Sequence, residues 1–129
     1  MLKTNTLVIV ADGESAVLWR NRGHAVADLE HVETFSFDSI GNDGPSGSSP
    51  EEQSLRERDE ATFIKHLVNK LNAMALSNGL PDEVIIIADP NSLGQMRPQY
   101  HAELKRRIVR EIAKTLVKAT KKDLEKALS

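Results

Sequence analysis

The chain contains no cysteine, which removes disulfides, thiolate zinc sites and cysteine nucleophiles together. Long apolar runs are missing too. The longest near the start, Leu7 to Ala11, is far short of the ~18 residues of a membrane span and shorter than the core of a signal peptide. The signatures of common catalysts are absent: there is no G-x-S-x-G, no Walker loop, no G-x-G-x-x-G and no H-x-x-x-H. His24, His31, His66 and His101 fall on separate predicted elements, so the sequence calls for no metal and no cofactor.

What is present is one domain's worth of chain, 129 residues with a net charge of -2. That small total hides a split. Residues 1 to 60 carry 5 Lys/Arg against 12 Asp/Glu, whereas residues 61 to 129 carry 12 against 7. Such a division can give one face an affinity for anions, and it also arises from ordinary solvated helix faces.

Leu7 to Ala11 and Ser15 to Arg20 read as strands around the turn Asp12-Gly13-Glu14, and Leu29 to Phe37 alternates as an edge strand. Asp38 to Ser49 is rich in glycine and serine and predicts a flexible loop. Ser49-Pro50-Glu51-Glu52 then starts a helix predicted over Pro50 to Ser77, with Ile64, Leu67, Val68, Leu71, Met74 and Ala75 inward and Asn78-Gly79 as its stop. Val84 to Ala88 is apolar throughout and predicts a strand buried on both faces. A polar loop holding Gly94 is expected next, then a helix from Pro98 to about Arg110, a short strand over Ile112 to Val117, and a last helix from Lys121 to Leu128. The expected fold is an α/β domain of order β-β-β-α-β-α-β-α. Three meander strands are joined by two parallel ones in a five-stranded mixed sheet, with helices packed on it.

Two groups of residues carry candidate chemistry. After the buried strand, Asn91, Ser92, Gly94 and Arg97 suit an anion nest, provided that Gly94 takes a positive φ. Lys105, Arg106, Arg107 and Arg110 suit phosphates on the outer face of the helix predicted there. Each has a plain structural alternative, a packed connection for the first and a solvated helix face for the second. Asp12 and Asp89 follow apolar strands and would suit a metal-dependent hydrolase if they converged, although Asp-Gly and Asp-Pro are ordinary turn dipeptides. Trp19 needs only packing to explain it.

Over nearly its whole length the chain resembles the bacterial host attachment family. The resemblance is carried by Val8 to Trp19, by the Gly/Ser-rich loop before a charged helix, and most specifically by Pro90-Asn91-Ser92-Leu93-Gly94-Gln95-Met96-Arg97. Asp89 departs from that family, which usually has alanine before the proline. The resemblance implies a cytoplasmic interaction protein that is not an enzyme, acting through an unidentified protein partner in attachment to host cells, with a homo-oligomer allowed. The family is in turn similar to the middle domain of archaeal and eukaryotic peptide-release factors, whose mobile loop carries Gly-Gly-Gln. Here Asp38 to Glu52 has no Gly-Gly-Gln, so peptidyl-tRNA hydrolysis is not implied. An association with the ribosome or tRNA is the alternative that this second likeness implies.

Overall fold

The computed structural model describes residues 2–36 and 56–128. The loop expected at 38–49 and the start of the long helix at Pro50 lie outside the described residues. The order is β1 (Leu7–Ala11), β2 (Ser15–Asn21), β3 (Leu29–Ser36), α1 (Arg56–Leu76), β4 (Val84–Ala88), α2 (Pro90–Met96), a 3-10 turn (Arg97–Gln99), α3 (Ala102–Lys105), β5 (Ile108–Ala113) and α4 (Lys121–Leu128). The strands form one sheet in the order β3-β2-β1-β4-β5. β1 pairs antiparallel with β2 and parallel with β4, β2 pairs antiparallel with β3, and β4 pairs parallel with β5. The expected five-stranded mixed α/β sheet is therefore the fold.

β1 and β4 are apolar at every position because both of their faces are covered. Leu7, Ile9 and Ala11 of β1, with Val84, Ile86 and Ala88 of β4, share a core with Phe63, Ile64, Leu67, Val68 and Leu71 of α1. Leu93 and Met96 of α2 and Leu104 of α3 close that layer. On the opposite face Val8, Val10, Ile85 and Ile87 meet Leu124 and Leu128 of α4, flanked by Leu116 and Val117. Each such fully buried large side chain stabilises the fold by about 1.5–3 kcal/mol.

α1 stops where the sequence places its stop, but asparagine rather than glycine takes the left-handed backbone. Asn78 has φ 61°, and Gly79 N–H returns to the Met74 carbonyl at 2.7 Å. In β3 the strict alternation is broken by a bulge, for Trp19 faces His31 while Leu18 faces Glu33. The slip sends Leu29 to the α4 face and Phe35 to the α1 face, which explains why the apolar residues of this strand are divided. Trp19 packs edge-on to His31, with ring centroids 5.6 Å apart.

The segment after β4 departs from expectation. No helix runs from Pro98 to Arg110, and the last strand is Ile108–Ala113 rather than Ile112 to Val117. Leu104, Ile108 and Ile112 are four residues apart, a helical stripe, yet β4 has a bare edge that a fifth strand must cover. A bulge between Val84 and Ile85 lets Ile108 face one core and Ile112 the other. Upstream, the expected polar loop is helix α2. Asp89 caps it by accepting from Ser92 N–H at 3.0 Å, and Pro90 fills its first turn.

Candidate anion-binding groove

The carboxyl ends of β1 and β4 lie side by side, and their chains leave in opposite directions, so sheet geometry directs attention there first. Asp12 and Asp89 stand one residue beyond the paired Ala11 and Ala88. Each serves its own turn. Asp12 Oδ1 accepts from Glu14 and Ser15 N–H at 2.7 and 2.8 Å, while Asp89 Oδ2 caps α2. Asp89 Oδ1 is buried without a hydrogen-bond partner among the described residues. Among those residues no group of three or more His, Asp or Glu is placed to hold a metal ion.

The anion nest does not have its expected backbone. Asn91, Ser92 and Gly94 lie within α2, Ser92 is buried, and no described glycine has a positive φ. Successive helical amides point along the axis to carbonyls, so Gly94 cannot turn them outward as a nest does.

The basic residues are redistributed by the same change in secondary structure. Arg97 opens the 3-10 turn, Lys105 ends α3, and Arg110 lies in β5. These three line one groove of about 420 Å³, together with Tyr100, Ile108, Val109 and Glu111. Arg106 is exposed and bonds Glu103 at 2.9 Å, which holds that carboxyl below its ordinary pKa. Arg107 is buried at 5% exposure, far from the phosphate contact expected of it. It points inward because Leu104, three residues before it, anchors this turn in the core, and its guanidinium approaches the Leu80 carbonyl at 3.4 Å.

Side chains that the sequence reading does not single out hold the groove in shape. Asn72 of α1 donates to the Gln99 carbonyl at 3.0 Å and accepts from His101 N–H at 2.9 Å, pinning the turn that presents Arg97. His101 Nδ1 accepts from Glu103 N–H and caps α3. Glu111 is the hub: Oε1 accepts from Arg97 Nε at 2.9 Å, and Oε2 accepts from Tyr100 O–H at 3.0 Å. With a helix running to about Arg110 and the strand starting only at Ile112, Glu111 and Tyr100 have no reason to meet. Only the strand places Glu111 opposite Ile86, on the face that α2 and α3 cover.

Burial is the main reason that the Tyr100 pKa is raised well above its ordinary 10.0, followed by the charge of Glu111 and the hydrogen bond to it, with Arg97 opposing. The folded state thus holds the phenol proton more tightly than the unfolded chain. The stability this contributes is complete below pH 10 and is lost as pH rises beyond it. Alkaline unfolding curves are expected to be flat up to about pH 10 and to fall above it, less steeply for Tyr100→Phe. Because the chain has a single tyrosine, its phenolate absorbance reads the shift directly.

The architecture is that of a release-factor domain. A crystal structure of the archaeal translation termination factor aRF1 matches with a TM-score of 0.51 at 16% identity, over 84% of this chain and 30% of that one. The chain spans less than a third of that factor's length. It belongs to the bacterial archaeo-eukaryotic release factor family 12, whose sequence profile matches residues 5–128. No curated protein matches. The release-factor likeness read from the sequence is thereby established, and the host attachment family does not enter these matches. No helix of the described residues is long and apolar enough to cross a membrane.

Proposed function

We propose that this protein is a cytoplasmic factor of release-factor descent that associates with the ribosome or tRNA through RNA phosphates. One observation carries the reading: in a chain of a release-factor family, Arg97, Lys105 and Arg110 come from three separate elements to one groove. Cations that converge from different elements make a surface of preset shape, unlike the same charges spread along a solvated helix. Arg106, exposed beside them, extends the basic surface. Hydrolysis by a positioned glutamine is outside the proposal, because the sequence has no Gly-Gly-Gln. Attachment to host cells has the sequence resemblance behind it and is the less favoured reading.

The test is binding to ribosomes and to tRNA across a salt series. Three phosphate contacts to single-stranded RNA give a log–log slope of about -2. The triple variant Lys105→Glu, Arg106→Glu, Arg110→Glu is expected to lose at least about a hundredfold in affinity, at roughly tenfold per strong contact, and most of that slope. All three side chains are exposed, so its melting temperature should hold. Absence of ribosome and tRNA binding at low salt, or a variant that binds like the parent, refutes the reading.

A further inference from the structure

The groove at the β5 edge has two unlike walls. Lys105 and Arg110 have no carboxylate partner among the described residues, whereas nearby Arg106 has Glu103. Against these two free cations lie Ile108, the ring of Tyr100, and Val109, which is 54% exposed at the bulged position. A lone phosphate would use the cations and leave the apolar wall wet. An acidic peptide would do the same unless its side chains alternated in register with the bulge. A ligand with an anion at one end and a flat apolar body at the other satisfies both walls at once.

Size narrows the choice further. About 420 Å³ sits at the lower end of small-ligand sites. That is room for one nucleotide and too little for an A-form duplex, which is gripped across its minor groove over many base pairs. Glu111 supplies the remaining feature. Both of its oxygens are engaged, one by Arg97 and one by Tyr100, so a carboxylate already occupies the place beside Arg97 that an incoming phosphate would share. It keeps Arg97 aimed at the groove and at the same time repels the anion.

We propose that this groove binds one unpaired nucleotide. Lys105 and Arg110 hold its phosphate, the base lies against Ile108, Val109 and Tyr100, and Glu111 acts as an internal anion that limits affinity. The inference rests on the RNA-associated reading and names its unit of recognition. The same chemistry can come from a free nucleotide or from an unpaired position of an RNA chain, and the experiment separates these sources.

Calorimetric titration of the full chain compares a nucleoside monophosphate, a short single-stranded oligoribonucleotide, a hairpin duplex, inorganic phosphate and a poly-glutamate peptide. The monophosphate and the single strand are expected to bind and to compete with each other, with inorganic phosphate about tenfold or more weaker for want of the base contact. Glu111→Gln, which keeps a hydrogen-bond partner for Tyr100, should tighten the monophosphate by about threefold to tenfold, as expected for removing one nearby like charge. Val109→Asp should weaken it by about tenfold or more. Glu30→Gln on the far edge strand should change nothing, and unaltered melting temperatures certify the variants.

Binding of the monophosphate without the single strand assigns the groove to free nucleotides and supports the site. Equal binding of inorganic phosphate, of the duplex or of the peptide overturns it, as does a Glu111→Gln affinity equal to the parent's. Ribosome binding that persists while the monophosphate titration is silent overturns this inference and leaves the RNA-associated reading standing. Absence of both ribosome and tRNA binding in the unmodified protein fails that reading instead.

Discussion

Arg107→Glu is expected to destabilise the protein strongly, while Arg107→Met leaves it close to its parent's stability. The guanidinium is 5% exposed, but its pairing is loose: Asp82 at 3.7 Å and Glu103 at 3.8 Å lie well beyond the roughly 2.8 Å of a strong charge-assisted bond. Nε has no partner among the described residues, and Asp82 is fully exposed. The stem of the side chain therefore packs well while its charge recovers little. Methionine keeps most of the volume and abolishes the desolvation cost, a replacement that is often neutral or stabilising. Glutamate does the reverse, placing a buried carboxylate beside Asp82 and Glu103, and is expected to cost about 3–5 kcal/mol out of a total near 5–15. Urea denaturation of the two variants checks the contrast. The outcome also decides how RNA binding must be tested. Reversing Arg107 together with its neighbours would mix lost stability into any loss of binding, so Lys105, Arg106 and Arg110 alone make an informative set.

Gly23→Ala is the second large effect, expected to lower stability by about 3 kcal/mol, roughly 10 °C in melting temperature. The chain between β2 and β3 folds so closely that a Cβ at position 23 would collide with the Val26 carbonyl oxygen and lie 3.0 Å from the Asp28 nitrogen. Both obstacles are backbone, so the turn itself must open. Opening it strains the clasp built on Asn21, which is fully buried. Asn21 Oδ1 accepts from the N–H groups of Gly23 and Asp28 at 3.0 and 2.9 Å, and its Nδ2 donates to the Lys3 carbonyl at 2.9 Å. A buried amide that loses these partners costs about 1–3 kcal/mol, in addition to the overpacking. Gly94→Ala is the companion measurement. Position 94 lies in helix α2, and nothing comes within 4 Å of where an alanine methyl would sit, so alanine should stabilise by about 0.5–1 kcal/mol. A destabilised Gly94→Ala would mean that position 94 needs the conformational freedom of a nest after all.

How much of the site is legible in advance differs by residue. The sequence marks Arg97, Lys105 and Arg110 as cations of interest, but in two unrelated groups, and the groove unites them. Arg106 can be told from Arg107 only once α3 is seen to end after Lys105, since one step of backbone then separates solvent from core. Asp89-Pro90 does carry the signal for α2, because aspartate followed by proline is also an N-cap followed by the first helical residue. The turn reading competes with it because both motifs begin with the same two residues.

The strands β1 and β4, the buried stripe of α1, its stop at Asn78-Gly79, the helix Lys121–Leu128 and the order of elements are all legible in the chain. These segments have unbroken apolar runs, long periodic stripes or strong caps, and such local patterns leave little choice of partner. The stretch from Pro90 to Ala113 is different. Its stripe of Leu104, Ile108 and Ile112 fits a helix as well as a bulged strand, and only the uncovered edge of β4 chooses the strand. That choice then carries Glu111 to Arg97 and Tyr100, buries Arg107, and leaves Lys105 and Arg110 beside Val109 without a carboxylate partner among the described residues. Edge coverage is a long-range demand, made on β5 by a strand well upstream in the chain, and no local spacing encodes it.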